Sequence, residues 1–322
     1  SGTLASSSLR ALAGLAAREG LRLRRWAFVS AYLQGSLEDG EVVYCFPPPG
    51  YERRDAQGRE MVCRVVKPIY GMAQAGRRWQ RTLFPWLREF GFVASKNDPC
   101  VFTCERDVST SGAPRVEKLV VGVYVDDLAV AYKQDGAGSL YQSFVDALAA
   151  WQVEDEGELN DLLGIDFSNS GGVVSMSQSR YIDKLIERYL PDGVPPSVQP
   201  NRRPHSDDLP ELVADALSQS DADVDANLRQ RYQSLVGALL YCATNTRPDV
   251  AYAVGMLCRC MSKPTEDVYR EAVRALCYLH RTRTLGLRYE ASQRPLHGYS
   301  DSDWAVKHST SGWVFILNQA AV

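Results

Sequence analysis

The sequence predicts an α+β fold, in which antiparallel strands and amphipathic helices alternate along one chain. The first observation is an apolar run, residues 119–130, that Asp126 and Asp127 interrupt before it resumes. Apolar runs on both sides of a polar pair are typical of two buried strands joined by a tight turn. A second hairpin signal lies around residues 165–176, where Gly and Asn separate two strand-like segments. The third observation is apolar residues at helical spacing over 75–90.

The first half of the chain alternates short strands with three helices. A Ser near the start of 7–19 and Gly20 after its end are typical helix boundaries. A Pro-Pro-Pro-Gly segment ends the strand at 42–46. In chain order, the predicted helices are 7–19, 75–90 and 139–151; the predicted strands are 21–29, 42–46, 62–66, 100–104 and both arms of the first hairpin; and 105–115 is a predicted polar loop.

The second half is mainly helical and ends in strands. Residues 191–227 contain six prolines and an acidic cluster of Asp221, Asp223 and Asp225, which predicts a linker or an extended loop. The predicted helices are 179–190, 228–244, 249–261 and 265–281, and the predicted strands are 165–167, 173–176, 287–289, 296–300 and 312–317.

Asp126 and Asp127 are the leading candidate for a chemical site. Neighbouring side chains of a strand point to opposite faces, so both carboxylates reach one site only where the chain turns. Two charges within apolar sequence need a partner, and carboxylate oxygens suit magnesium. The alternative is an ordinary β-turn, because Asp is common in turns.

Composition is that of a soluble globular protein, with 45% hydrophobic and 23% charged residues in a chain of 322. A net charge of -3 gives no bulk attraction to nucleic acid, so a nucleic-acid surface would have to be a local patch. There is no apolar run long enough to span a membrane and no signal-peptide pattern. Since the sequence also lacks an initiator Met, we expect a piece of a longer protein.

The eight cysteines lie mostly among apolar residues, and we interpret them as reduced core thiols rather than metal ligands or disulfides. The four histidines are scattered and are not expected to be catalytic. Reduced thiols and the missing signal peptide predict an intracellular protein that is not secreted.

Tyr124-Val125-Asp126-Asp127 between apolar strands is the signature of reverse transcriptases, and the chain as a whole resembles the copia-type retrotransposon reverse transcriptase. The resemblance covers nearly the whole chain. The other matching segments, in order, are 31–37, 48–51, 70–75 with 78–79, 98–102, 163–165, 232–241, 247–254, 299–304 and 309–312.

The resemblance implies a right-hand polymerase fold within a Pol polyprotein. Its parts are a palm with an antiparallel sheet at 1–190 with truncated fingers, a Pro-rich linker at 191–227, a helical thumb or connection region at 228–294, and a truncated ribonuclease H-like start at 295–322.

The activity that the resemblance implies is RNA-directed DNA synthesis by two-metal nucleotidyl transfer. In this family three Asp residues hold two Mg²⁺ ions, and Asp126 and Asp127 match the pair at the hairpin tip. The third position is Ala27 here. We therefore expect magnesium binding to be weakened and polymerase activity to be impaired. The alternatives are an inactive remnant that at most binds nucleic acid, and an Ala introduced on purpose.

Several further roles follow from the resemblance alone. Tyr32, Gln74 and Phe28 match nucleotide-binding positions, although Tyr32 also suits a half-buried strand and Gln74 a helix cap. Gly164 matches the primer grip, and Asp301 matches a metal ligand of ribonuclease H whose site is otherwise missing. The family commonly has Lys where this chain has Glu154, a second sign of lost function.

The partners that the resemblance implies are an RNA or DNA template-primer, a deoxynucleotide and other parts of the polyprotein, and no membrane is expected. The location that it implies is a cytoplasmic particle or the nucleus. A nucleic-acid track could be built from arginines, or these could simply be a solvated face. The candidate arginines are Arg22, Arg24, Arg25, Arg77, Arg78, Arg81, Arg202 and Arg203.

Overall fold

The structure is a computed structural model that describes residues 2–108, 116–133, 135–194, 203–220, 224–302 and 309–322. The chain forms two compact units: residues 1–12 with 20–158, and residues 13–19 with 159–322. The main break between the units falls at 158/159, and the predicted domain bounds stay predictions. Within the described residues, no helix is both long and apolar enough to cross a membrane.

The first unit is built on a six-stranded antiparallel sheet, with strand order β4-β5-β6-β7-β1-β8. Its strands are β1 (Arg22–Phe28), β2 (Val43–Cys45), β3 (Cys63–Val65), β4 (Val93–Ala94), β5 (Val101–Asp107), β6 (Val116–Tyr124), β7 (Asp127–Tyr132) and β8 (Val153–Glu158). Its helices are α2 (Ala31–Gln34), α3 (Ala75–Phe90) and α4 (Leu140–Leu148), together with the first part of α1 (Ser6–Glu19). Strands β2 and β3 pair separately from the large sheet.

Helix α3 confirms the predicted helix over 75–90 and shows why it forms. Trp79, Leu83 and Leu87 recur every four residues and are at most 1% exposed, so one face of the helix is buried in the core. The helix ends where Gly91 adopts a φ of 115°, a left-handed conformation that Gly tolerates best.

Strand β5 is longer than predicted and takes in part of the expected polar loop at 105–115. Glu105 lies opposite Lys118 and Arg106 lies opposite Glu117, so opposite charges meet across the two strands. Such cross-strand pairs let a charged sequence continue a ladder without loss of stability. Residues 109–115 lie outside the described residues.

The second unit combines a helical bundle with two small sheets. Its strands are β9 (Asp161–Leu162), β10 (Ile165–Ser170), β11 (Val173–Ser177), β12 (Leu287–Glu290), β13 (His297–Ser302), β14 (Ser311–Leu317) and β15 (Ala320–Ala321), in the orders β12-β11-β10-β9 and β13-β14-β15. Its helices are α5 (Ser179–Tyr189), α6 (Leu209–Ser218), α7 (Ala226–Asn245), α8 (Ala251–Cys258) and α9 (Glu266–Arg281). The predicted α+β class and the second hairpin, β10–β11, are confirmed.

Helix α6 corrects the prediction that all of 191–227 is a linker or extended loop. Leu209, Val213 and Ala216 are buried at helical spacing, so this segment packs as a helix. Pro210 does not oppose the helix because it lies in the first turn, where its missing N–H is not needed. Of the acidic cluster, Asp225 caps α7 by accepting from the backbone of Asn227, while Asp221 and Asp223 lie outside the described residues.

The cysteines are not all core thiols. Cys100, Cys104, Cys242 and Cys260 are buried as predicted. Cys63 is exposed, which corrects the prediction for that residue. The three remaining cysteines have intermediate burial and are Cys45, Cys258 and Cys277.

Candidate active site

The hairpin that carries Asp126 and Asp127 forms as predicted. Tyr124 pairs with Asp127, so Val125 and Asp126 form a two-residue turn between β6 and β7. The Trp79 indole donates to the Val125 carbonyl over 2.7 Å, and the Phe28 backbone N–H donates to the Asp126 carbonyl over 2.8 Å. Helix α3 and strand β1 therefore fix the turn by its backbone.

Val125 is held in a conformation that a β-branched residue rarely adopts, with a φ of 53°. Strain of this kind is of order 1–3 kcal/mol and is common at functional sites. Glycine at this position relieves it but adds roughly 0.5–1 kcal/mol of chain entropy to the unfolded state. We expect Val125→Gly to raise the free energy of unfolding by about 1 kcal/mol in urea titrations, since the strain term is larger. Val125→Ala is the control with an intermediate gain, and a loss of stability in Val125→Gly would contradict the assignment of strain.

Asp126 lies in the turn, and one of its carboxylate oxygens has a partner. The Tyr70 hydroxyl donates to Asp126 Oδ2 over 2.7 Å. Burial and this hydrogen bond raise the pKa of Tyr70 to about 12, so the hydroxyl keeps its proton. Asp126 Oδ1 is buried and has no hydrogen-bond partner among the described residues. A buried acceptor in this state carries a penalty of about 1–3 kcal/mol, so this oxygen favours an added donor or cation.

Asp127, the first residue of β7, is bound by Arg25. The Nε and Nη2 atoms of Arg25 both lie 3.0 Å from Asp127 Oδ1. The two side chains are only 24% and 21% exposed, so water shields their attraction less than that of a fully exposed pair. Arg25 therefore neutralises a carboxylate that was expected to hold metal.

Ala27 lies in β1 between two carboxylate-bearing neighbours. It is directly opposite Asp127 on β7 and directly opposite Glu154 on β8. Opposed residues of antiparallel strands project to the same face, and residues two apart in a strand do so as well. Asp127, Arg25, Ala27 and Glu154 therefore share one face of the sheet, and the face has a methyl group at its centre.

These residues do not fit a two-magnesium centre. Asp126 offers one oxygen without a partner, but Asp127 is neutralised and Ala27 has no ligand atom. In the part of the chain that the structure describes, no group of three or more His, Cys, Asp or Glu side chains could hold a metal ion. Two magnesium ions need several anionic oxygens between them. We therefore assign no metal-dependent step to this site.

Comparison with known proteins identifies the family. The model of the reverse transcriptase (RNA-dependent DNA polymerase) family matches residues 1–200. This chain belongs to the reverse transcriptase family. It is 32% identical over 324 residues to the retrovirus-related Pol polyprotein from transposon RE2 of Arabidopsis thaliana, with 97% of the chain and 20% of that protein covered. The resemblance to copia-type reverse transcriptases is confirmed.

Two further relatives agree with this assignment. The chain is 26% identical over 328 residues to the retrovirus-related Pol polyprotein from transposon TNT 1-94 of Nicotiana tabacum, covering 98% of the chain and 23% of that protein. It is 28% identical over 302 residues to a putative transposon Ty5-1 protein of Saccharomyces cerevisiae, covering 91% of the chain and 89% of that protein. The chain thus spans about a fifth of the plant Pol polyproteins that it matches.

Of the nucleotide-binding residues expected in a reverse transcriptase, Tyr32 lies beside the hairpin. Its ring centroid is 4.4 Å from that of Tyr70, whose hydroxyl binds Asp126. Burial, and then the charge of Asp126, raise the pKa of Tyr32. Tyr32, Tyr70 and Asp126 therefore form one cluster, with Tyr32 in the short helix α2 rather than in a strand.

Gln74 and Phe28 have other contacts. Gln74 caps α3 by position, and its amide donates to Glu41 Oε1 over 3.1 Å. Phe28 is 3% exposed, and its ring packs edge-on against Trp79 at 4.9 Å. Because Phe28 follows Ala27 in the strand, its ring faces the core and only its backbone reaches the site.

Gly164 and Asp301 belong to the second unit. Gly164 has a φ of 71° and follows Leu163 with a φ of 56°, so together they make the tight turn between β9 and β10. Asp301 lies on β13 opposite Gly312 and is exposed. The matching residues Asp303 and Trp304 lie outside the described residues.

Most arginines proposed for a nucleic-acid track make ion pairs within the first unit. These pairs are Arg22–Asp135, Arg24–Asp155, Arg25–Asp127, Arg78–Glu38, Arg78–Glu41 and Arg81–Glu38. Arg77 is exposed on α3, Arg203 pairs with Asp207, and Arg202 lies outside the described residues. Paired cations attract phosphate less, which weakens the case for a continuous track.

Sequence reasoning missed Tyr70 and the pairing of Arg25. Tyr70 is 56 residues from Asp126, and Arg25 is 102 residues from Asp127. The signal available for Arg25 was its position two residues before Ala27, which places both on one strand face.

Proposed function

We propose that this chain is the reverse transcriptase part of a copia-type Pol polyprotein in which nucleotidyl transfer is absent or strongly reduced. The observation that supports this most directly is the face of β1. There a methyl group takes the place of the third carboxylate, and Arg25 neutralises Asp127. With Asp127 paired and no carboxylate at position 27, the hairpin keeps one available carboxylate, which holds divalent metal poorly, and the family depends on metal for catalysis.

The remaining roles are proposed from family membership. Residues 1–190 act as the palm, 228–294 as the helical thumb or connection region, and 295–322 as the start of a ribonuclease H-like domain. Tyr32 and Gln74 would contact the deoxynucleotide, and Gly164 the primer. An RNA or DNA template-primer and other parts of the polyprotein are the proposed partners, inside the cell.

The proposal is tested by primer extension on RNA and DNA templates with Mg²⁺ or Mn²⁺. We expect no incorporation above background by the natural sequence, because Asp127 is paired and Ala27 supplies no ligand. Fluorescence anisotropy with labelled template-primer measures binding in the same samples. We expect weak, salt-sensitive binding, since most of the candidate arginines are paired.

The two measurements separate the alternatives. Incorporation at a rate typical of an active polymerase would overturn the proposal of impaired catalysis. Binding without incorporation supports a remnant that acts as a nucleic-acid-binding module. If neither binding nor incorporation is observed, the result supports a remnant that has also lost nucleic-acid binding.

A further inference from the structure

Two cysteines face each other on the small β2–β3 ribbon of the first unit. In its antiparallel register Val43 pairs with Val65, and Cys45 pairs with Cys63. Directly opposed residues project to the same side of a ribbon. The ribbon pairs separately from the six-stranded sheet.

The spacing of opposed residues suits a disulfide. Opposed Cα atoms of antiparallel strands lie about 4.5 or 5.5 Å apart, within the range of about 4.4–6.8 Å found across disulfides. Opposed Cβ atoms are about 4.5–5.5 Å apart, and a disulfide needs about 3.5–4.5 Å. The two Cβ atoms must therefore approach each other by about 1 Å to form the disulfide. This movement strains the bond slightly and keeps it easy to reduce.

Of the two thiols, Cys63 is exposed and the more accessible, and Cys45 is half-buried like Cys258 and Cys277. Burial raises the pKa of Cys100, Cys260 and Cys277 to about 11, which suppresses their reactive thiolate forms. Cys63 lines a surface hollow with Arg53, Tyr51 and Met61, so a carboxylate-bearing thiol reagent finds a cation beside it.

We propose that Cys45 and Cys63 form a redox-active pair that closes into a reversible cross-strand disulfide on meeting oxidised glutathione. The Cys63 thiolate attacks one sulfur of the glutathione disulfide, forms a mixed disulfide and releases one glutathione thiolate. The Cys45 thiolate then attacks Cys63 Sγ and releases the second. Two electrons pass from the protein to glutathione, and excess reduced glutathione reverses both steps. This modification site is independent of the polymerase function proposed above.

The test equilibrates the folded chain in oxidised and reduced glutathione, blocks free thiols with an alkylating reagent and reads the products by intact and peptide mass spectrometry. Relative to the reduced and alkylated control, we expect two fewer alkyl groups, a further loss of about 2 Da for the two hydrogens, and one linked pair of peptides that contain Cys45 and Cys63. The same treatment in denaturant should lose this selectivity, because any of the eight thiols then reaches any other.

Two variants make the result decisive. Cys45→Ser removes the resolving thiol, so Cys63 should accumulate as the glutathione mixed disulfide instead of the internal bond. Cys258→Ser, which alters a half-buried thiol in α8, should leave the Cys45–Cys63 link unchanged. Persistence of the mixed disulfide at Cys63 in the natural sequence, or linkage of another pair, would overturn the proposal.

Discussion

Replacing Ala27 with Asp and Arg25 with Gln together will produce a response to divalent metal that neither substitution produces alone. The carboxylate that Ala27→Asp introduces would lie opposite Asp127, with Cβ atoms about 4.5–5.5 Å apart. It would not suffice by itself, because Arg25 would still neutralise Asp127. Arg25→Gln removes that cation while keeping most of the side chain's length.

The double variant should be less stable without metal and regain stability with it. Two carboxylates directly opposed across strands repel by about 1 kcal/mol, and Glu154 on the other side of position 27 adds to this. A dication bound between the carboxylates replaces their repulsion with a net attraction. We therefore expect a lower melting temperature in EDTA than for the natural sequence, and a rise on addition of Mg²⁺ or Mn²⁺ that the natural sequence lacks.

Primer extension is the second measurement on these variants. A metal ion stabilises the charge of the transition state by several kcal/mol, so we expect incorporation at least roughly 100-fold above that of the natural sequence. Ala27→Asn with Arg25→Gln is the control for size without charge. Arg24→Gln is the control for charge, because Arg24 lies on the opposite face of β1 and pairs with Asp155.

Each outcome identifies a cause. A full metal response in Ala27→Asp alone would show that Arg25 does not block the site. A metal response without incorporation would mean that residues other than Ala27 and Arg25 also prevent activity. Adding Glu154→Lys then tests the second departure from the family. No metal response in the double variant would contradict the interpretation of Ala27 and Arg25.

The fold was predictable where a local pattern decides the structure. The hairpin of β6 and β7 follows from apolar runs around two Asp residues, and α3 follows from Trp79, Leu83 and Leu87 on one face. Helix α6 was missed because prolines were counted without regard to position, although Pro210 lies where a helix accepts it. The end of β5 was missed because its ladder depends on Lys118 and Glu117 of another strand.

The site was predictable only in part, for a similar reason. The position of Asp126 in a turn is a local property, and it was predicted. Its partner Tyr70, and Arg25 as partner of Asp127, are brought there by the sheet and are remote in sequence. Ala27 was recognised from its place in a motif, but only the register shows that it lies between Asp127 and Glu154.

Arg247→Met will destabilise the helical part of the second unit by about 3 kcal/mol, the low end of the range for breaking a buried ion pair. The Arg247 side chain is 1% exposed. It donates to both carboxylate oxygens of Asp249, at 2.9 and 2.7 Å, and to the carbonyl and hydroxyl of Thr282. Met fills a similar volume without a donor, so Asp249 Oδ1 and the Thr282 carbonyl lose this donor, and Asp249 Oδ2 keeps only its hydrogen bond from the Tyr278 hydroxyl. We expect a loss at the low end of the range for buried ion pairs because the Asp249 side chain is 36% exposed, so water can partly replace the arginine.

The dependence of this loss on pH distinguishes a charge effect from a packing effect. Burial alone would raise the pKa of Asp249, but the hydrogen bonds and charge of Arg247, together with the hydrogen bond from Tyr278, outweigh it and hold the pKa below its usual value. A depressed pKa means that the pair's stabilisation is present above the usual Asp pKa and is lost as pH falls through the depressed value. The difference between Arg247→Met and the natural sequence should therefore be full at neutral pH and shrink on acidification. Urea unfolding followed by circular dichroism at several pH values measures this difference in the free energy of unfolding.

The control is Arg203→Met, which breaks the exposed pair with Asp207 and should change stability by less than about 1 kcal/mol. A pH-independent loss in Arg247→Met would assign the effect to packing.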